Sequence, residues 1–371
     1  MVCVIVHSGA GYQSKSNEEK YNKLCFEACL LAAELLSVEH KNAVDAVEAT
    51  VAYLEDCPLT NAGIGSNLTI NGFVECDAGI MSSSTHWFAG IGAVRNVRNP
   101  VKVARLLLQS QIGHPLGENG RVQPSLLFGD GVHDWAASKG HFIDTCDLTT
   151  TTSKLLWKKY TSWLNNGDET NGNANITDCM PGCSYSSEEN KSSSDTVGAV
   201  CVDLEGNIAS AASSGGIAVK YEGRIGQACT YGCGCWAEEL SLYSRIGTVT
   251  SGIGEQLVRT QLAQRCAERF SGSSISVPEV VKSSLIDDFL NSKYLSLDME
   301  KGAGIAGIYY NFECTSRPVV DLFVGHSTRS MSVGHYVPSV MTEPAVRITR
   351  KQTDEPIYLE VSSYCLEEIG R

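Results

Sequence analysis

Thr196 is the residue whose surroundings most plainly announce chemistry. From Asn165 to Ser194 the chain is dominated by Asn, Gly, Ser, Glu and Asp, and Asp195-Thr196 then opens a run of short apolar segments separated by glycine turns. A threonine hydroxyl is a poor nucleophile until a base takes its proton, and an N-terminal α-amine, with a pKa near ~7.7, can serve. That amine exists only if the Asp195–Thr196 bond is cut. Asp203-Leu204-Glu205-Gly206-Asn207 predicts a hairpin with a three-residue loop and glycine at the left-handed position. Pairing Asp203 with Asn207 sets the register and puts Ser214 directly across from Thr196. Two hydroxyls at a buried strand end suit the polarising of a nucleophile. A plain cross-strand Thr–Ser hydrogen bond is the other reading, and spacing alone leaves both open.

The remaining motifs are weaker. Cys229, Cys233 and Cys235 form C-x3-C-x-C, and Cys179 and Cys183 form C-x3-C. Zinc wants two C-x2-C-like pairs or added histidines at fixed spacing, so plain thiols and no metal are expected. Gly302-Ala303-Gly304-Ile305-Ala306-Gly307 fits G-x-G-x-x-G but precedes an expected strand instead of opening a helix, which argues against a dinucleotide cofactor. His326 and His335 flank a glycine-rich strand hairpin and are expected to be structural. No G-x-S-x-G elbow of a serine hydrolase occurs.

The elements that must position Thr196 follow from periodicity. Val2–Val6 predicts a first strand. Tyr21, Leu24, Cys25, Ala28, Leu31, Ala32 and Leu35 predict the buried stripe of a helix, and Val44, Val47, Val51 and Leu54 a second one, stopped by Pro58. Leu68–Ile70, Asn71-Gly72 and Phe73–Cys76 predict a tight hairpin. Ala89–Val94 predicts a strand, Pro100 opens a helix through Leu108, and Val132–Ser138 predicts a shorter one. Lys154–Leu164 predicts a basic amphipathic helix, read as a solvated face in preference to a localisation signal. Strands are expected at Thr196–Val202, Ile208–Ser213, Gly304–Tyr310, Val319–Gly325 and Met331–Tyr336, with helices near Glu255–Phe270 and from Pro278 to Asn291. Strand groups and helix groups are segregated, which favours an α+β fold of stacked sheets with helices outside.

Composition sets the outer bounds. The 371 residues are 43% hydrophobic and include 35 glycines, which excludes a mostly disordered chain. A net charge of −13 argues against nucleic-acid partners, and no apolar run approaches the ~18 residues of a membrane span. The N-terminus lacks the features of a signal peptide, and 15 cysteines without framework spacing favour reduced thiols in the nucleus or cytoplasm over secretion. The sequons at Asn67, Asn175 and Asn190 are then idle.

The run DTVGAVCVDLEGNIASAASSGG, followed by KYEGRIGQ, resembles the asparaginase-like branch of the N-terminal nucleophile hydrolases. HSGAG at His7–Gly11, TNAGIGSNL at Thr60–Leu68, ECDAGIM at Glu75–Met81 and TSGIGE at Thr250–Glu255 extend the likeness over nearly the whole chain outside the polar segment. The resemblance implies a four-layer αββα sandwich made as an inactive precursor that cleaves itself between Asp195 and Thr196. Residues 1–195 would be an α subunit with a disordered linker at about 148–195. Residues 196–371 would be a β subunit beginning with the nucleophile, and the two would stay associated as one domain. Whether αβ units pair into an (αβ)2 dimer the sequence leaves open. The resemblance further implies Ser214 as part of the site, Ser251 and Gly252 as an oxyanion hole, and Asn61 near the nucleophile.

One position divides the family. In its asparaginases, the resemblance implies, an Arg and an Asp of a GRVGD run hold the substrate's α-carboxylate and free α-ammonium. Here Arg224 is kept and the neutral Gln227 stands in place of the Asp. An amide cannot replace a charge opposite an ammonium, but it can hydrogen-bond a peptide amide, leaving Arg224 to hold the side chain of an internal Asp. With TYGCGCWAEE at Thr230–Glu239, the chain is similar to the endopeptidase branch of the family, which implies protein substrates cut after Asp, transcription regulators among them. Ser192-Ser193-Ser194 gives the expected cut no hydrophobic neighbour, so self-processing need not follow the preference for substrates. The rivals are an L-asparaginase or isoaspartyl peptidase, separated by Gln227, and an inactive binding scaffold. Retention of Thr196, Ser214, Arg224 and the TSG turn argues against the scaffold.

Overall fold

Two β-sheets lie face to face between two layers of helices in the computed structural model, which describes residues 2–113, 120–166, 196–271, 275–312 and 318–365. The strands, in chain order, are β1 (Cys3–Gly11), β2 (Cys76–Ser82), β3 (Phe88–Val94), β4 (Leu126–Phe128), β5 (Val197–Val202), β6 (Ile208–Ser214) and β7 (Cys235–Ser241). They continue as β8 (Ser244–Gly252), β9 (Ala303–Asn311), β10 (Val319–His326), β11 (Ser330–Tyr336), β12 (Ala345–Arg350) and β13 (Tyr358–Cys365). The helices are α1 (Glu18–Ser37), α2 (Ala43–Glu55), α3 (Pro100–Gly113), α4 (Asp130–Ser138), α5 (Thr151–Asn166), α6 (Gly254–Thr260), α7 (Leu262–Phe270) and α8 (Val277–Ser283), the last continuing as a π-helical turn over Ser284–Leu290. Among the described residues no helix is long and apolar enough to cross a membrane. Asp195, Cys179, Cys183, Asn175, Asn190 and the polar segment beyond residue 166 lie outside the described residues.

The first sheet runs β12-β11-β1-β5-β6-β2-β3-β4, and the second runs β13-β10-β9-β8-β7. Side chains on a strand alternate between faces, and β5 sorts its residues accordingly. Val197, Ala199 and Cys201 enter the core shared with α1, α2 and α3, while Val200 and Val202 enter the core between the sheets with Ile246, Val249 and Ile305. That second core continues through the smaller sheet to Leu262, Cys266 and Phe270 of α7 and Val280 and Val281 of α8. The result is the αββα sandwich.

Central β5 and β6 pair from Val197↔Ser213 to Val202↔Ile208, the register the turn chemistry demands. Gly206 closes the turn at φ +80°, where a residue with a Cβ is strained. Asp203 ties the turn to the helix layer, accepting from the Asn207 and Ala43 amides, the latter at the start of α2.

Several expected elements differ. In α1 the buried stripe includes Cys29, Ala33 and Leu36, with Leu31 and Leu35 only half-buried. The hairpin around Asn71-Gly72 is a turn closed by one bridge, Leu68↔Val74, because Leu68 and Ile70 direct their main-chain bonds outward to Val219 and Lys220. The helix expected at Glu255–Phe270 breaks at Gln261, which takes a left-handed φ of 50°. Strands β2, β4, β7, β8, β12 and β13 have no counterpart among the expected elements. Helix α5 occupies the start of the expected linker and docks through Trp157, whose indole N–H donates to the Ile70 carbonyl at 3.2 Å.

Candidate active site

The β5–β6 register, extended one residue, places Thr196 opposite Ser214, and Ser214 in turn pairs with Asp77 on β2. Three polar residues therefore form a lateral row at one end of the larger sheet. Thr196 is buried, and Gln227 donates from Nε2 to its Oγ1 at 2.5 Å. Ser214 Oγ accepts from the Gly216 amide at 3.0 Å, which leaves its own proton to be given to a neighbour.

Asn61 holds the turn that follows Ser214. Its Nδ2 donates to the Gly216 carbonyl at 2.8 Å, and its own carbonyl accepts from the Gly215 amide at 2.7 Å. Asn67, formally a sequon, is buried and donates to the same Gly216 carbonyl. Ser251 and Gly252 end β8 on the smaller sheet, paired with Gly304 and Ala303. The Ser251 hydroxyl accepts from the Ala10 amide at 2.9 Å, joining the two sheets at the HSGAG bulge. Gly252 has φ +138°, and a Cβ there would lie 2.3 Å from the Gly302 carbonyl oxygen. Only glycine fits.

Arg224 and Gln227 both pack against Gly254. A Cβ added to Gly254 would lie 2.7 Å from Arg224 Nη2 and 2.8 Å from Gln227 Oε1. Gly216 borders Arg224 Nη1 in the same way, at 2.8 Å. The guanidinium is mostly buried, and its Nε donates to Glu255 Oε1 at 2.8 Å. Nη2 also lies 2.7 Å from that oxygen but makes no aligned hydrogen bond. The site thus holds a mostly buried arginine packed against Gly216 and Gly254, next to a hydroxyl already contacted by an amide.

Sequence reasoning passed over His7, Glu75, Asp77, Gly254 and Glu255 as individual residues, although all five lie within the matched motifs. His7 is fully buried on β1 opposite Gly198, where a Cβ would meet its Nε2 at 2.5 Å. Burial pushes its pKa down to about 3, against a smaller opposing pull from the Thr196 main chain, and neither ring nitrogen makes an aligned hydrogen bond. It is a neutral imidazole. Burial pushes the Glu55 carboxyl, on the helix side of the sheet, up to about 8, with Ser213, Val101 and Asn99 pulling the other way.

The weaker motifs are absorbed by packing. His326 is held between the Thr328 carbonyl and Thr349 Oγ1, and His335 by Tyr364, as expected of structural histidines. Cys229, Cys233 and Cys235 are buried, and burial pushes the latter two thiols up to about 12. Among the described residues no group of three His, Cys, Asp or Glu side chains is arranged to hold a metal.

Comparison with known proteins places the chain in a family. The family model described as Asparaginase (Asparaginase_2) matches residues 1–292. The isoaspartyl peptidase/L-asparaginase of Danio rerio is 34% identical over 263 residues, covering 70% of this chain and 73% of the relative. The Homo sapiens protein of the same description is also 34% identical over 263 residues, covering 70% and 74%. A plant-type L-asparaginase of Pyrococcus abyssi is 34% identical over 171 residues, 45% of this chain and 50% of that one. The chain belongs to the asparaginase family of N-terminal nucleophile hydrolases.

Proposed function

We propose that this hydrolase is a threonine endopeptidase of the threonine aspartase (taspase) kind. It is made as a precursor, cleaves itself between Asp195 and Thr196, and then cuts protein substrates after Asp. The observation that carries this reading is the neutral Gln227 beside Arg224 and against Thr196. A free amino acid needs a carboxylate for its ammonium, and the acidic groups bordering the loop are engaged. Asp77 accepts from the Ala93 and Gly226 amides, Glu75 from Arg95 and the Gly223 amide, and Glu255 from Arg224. An arginine with an amide for company suits an Asp side chain within a polypeptide.

In the proposed reaction Thr196 Oγ attacks the main-chain carbonyl carbon of the substrate's Asp, its proton passing to the α-amine freed by self-cleavage. The peptide C–N bond then breaks, and the α-ammonium returns that proton to the departing amine, leaving an acyl-enzyme ester. Ser251 and Gly252 would supply the oxyanion hole, and Ser214 and Asn61 would complete the surroundings of the nucleophile. The acyl-enzyme is then released by water. The two fragments would stay associated, because β5 lies between β1 and β6 and a cut leaves the strands interleaved. A reducing compartment, nucleus or cytoplasm, fits the described cysteines, all free thiols.

A second reading, isoaspartyl peptidase or L-asparaginase, is favoured by the descriptions of the relatives. Assay of a peptide with one internal Asp beside free asparagine and a β-aspartyl dipeptide tests the choice. Cleavage of the peptide with poor turnover of the others supports the endopeptidase. Robust turnover of asparagine or the dipeptide transfers the chain to the second reading.

A further inference from the structure

Glu75 and Asp77 belong to the ECDAGIM motif and are buried, and their carboxylates are engaged within the protein. Two residues apart in extended chain, they present side chains on one side. What they hold is the loop from Lys220 to Gln227. The Glu75 carbonyl accepts from Lys220 Nζ at 2.8 Å, and Glu75 Oε2 accepts from the Gly223 amide at 2.8 Å. Asp77 Oδ2 accepts from the Gly226 amide at 2.8 Å. Gly223 immediately precedes Arg224, and Gly226 immediately precedes Gln227.

The other oxygens fasten the carboxylates themselves. Glu75 Oε1 accepts from Arg95 Nε and Nη2 at 3.0 and 2.7 Å, and Asp77 Oδ1 accepts from the Ala93 amide at 2.9 Å. Arg95 also pairs with Glu222 at 3.1 Å, bracing the loop from outside. Asp77 is the cross-strand partner of Ser214, which stands opposite Thr196. One row of the sheet therefore aligns the two hydroxyls and also carries an anchor of the recognition loop.

We propose that Glu75 and Asp77 are positioning residues which set where Arg224 and Gln227 stand relative to Thr196, a claim that rests on reading that loop as the substrate-recognition segment. A loop carrying Gly223 and Gly226 has wide conformational freedom, and the charge-assisted bonds that its amides donate to buried carboxylates remove it. The recognition groups are thereby registered to the nucleophile by strand pairing and not by the loop's own preferences.

Asp77→Asn and Glu75→Gln test this with almost no change of shape. At position 77 one amide oxygen must serve two N–H donors, so either Ala93 or Gly226 loses its partner. With a quenched peptide carrying one internal Asp and the self-cleaved full chain, Asp77→Asn is expected to raise KM about tenfold or more while kcat changes less than about threefold. Glu75→Gln is expected to act the same way and more weakly, since its oxygen can keep Gly223 and release Arg95. It also keeps the test open if Asp77→Asn does not fold. If kcat falls at constant KM, or if melting temperature, self-cleavage and turnover drop together, the residues are general structural supports and the inference is overturned.

Arg224→Ala on the same peptide separates the two levels of the claim. If that variant leaves KM unchanged, the recognition reading fails and takes this inference with it. If it raises KM while Asp77→Asn and Glu75→Gln do not, the recognition reading stands and the positioning inference alone is wrong. Should the parent enzyme turn over only a β-aspartyl dipeptide, the proposed peptidase function fails, and the same KM criterion applied to the dipeptide decides the positioning role.

Discussion

Gln227 Nε2 donates to Thr196 Oγ1 at 2.5 Å, so the neutral residue standing where GRVGD has its Asp also touches the proposed nucleophile. Under the proposed function, substrate choice and nucleophile orientation would be joined in one side chain. Gln227→Asp separates them. It introduces a carboxylate that can meet an ammonium but cannot donate to the hydroxyl. The ratio of β-aspartyl dipeptide to internal-Asp peptide turnover is expected to rise by roughly tenfold or more, the scale of a charged hydrogen bond. An unchanged ratio would remove Gln227 as the discriminator.

Glu255 already occupies Arg224 in the substrate-free enzyme. Its side chain is 51% exposed, so the ion pair is screened and worth little. Under the proposed function, a substrate carboxylate would compete with it for the same guanidinium. Glu255→Gln is expected to lower the peptide KM about 1.4-fold to fivefold, matching an exposed pair of ~0.2–1 kcal/mol, with kcat nearly constant. A higher KM would mean that Glu255 orients Arg224 more than it obstructs it.

Arg224→Ala should affect tethered and free substrates differently. Asp195 is attached to Thr196, so its effective concentration is high without any recognition group. A free peptide depends on the Arg–carboxylate pair, whose loss leaves a carboxylate unpaired at a cost of ~2–5 kcal/mol, or roughly 30-fold to several thousand-fold in turnover. The expected variant appears largely as two fragments and cleaves peptide very poorly. Equal loss of both properties would make Arg224 a structural residue.

Stability should depend on pH through groups outside the reaction. His7, His326 and His335 have their pKa values lowered by burial from 6.5 to about 3, about 4 and about 4. Between those values and 6.5 the unfolded chain binds protons that the folded chain refuses, so stability rises with pH across that window. Glu55 has the opposite sign. Its pKa is raised from 4.5 to about 8, so its contribution is complete below 4.5 and is lost as pH climbs to about 8. Melting temperature should fall steeply on acidification from 6.5 toward 4 and gently from 6.5 to 8, and Glu55→Gln should flatten the alkaline limb. A flat acid limb would contradict the neutral burial of the histidines.

The hairpin from Val197 to Ser214 was legible because a short turn with glycine at the left-handed position permits few registers, and register fixed the Thr196–Ser214 pairing. The loop at Arg224 and Gln227 was legible as a motif but not as geometry. Its anchors, Glu75 and Asp77, are distant in sequence, and no local periodicity reports a bond from a carboxylate to a remote amide. Gly254 was hidden for a related reason: its role is the room it leaves for Arg224 and Gln227. Strands β7 and β8 were obscured by the glycine- and cysteine-rich stretch before them and by Glu238, Glu239 and Arg245 on the less buried part of the pair, where polar residues are tolerated. The break at Gln261 is a backbone choice within a strongly helical pattern, invisible to periodicity.

The mass of the purified protein tests the central claim most directly. The account predicts two fragments that co-purify, the second beginning at Thr196 with a free amine, and one uncut chain for Thr196→Ala. A parent protein that remains a single chain yet hydrolyses its substrate, or a Thr196→Ala variant that still yields a fragment beginning at residue 196, would contradict the assignment of Thr196 as the self-generated nucleophile.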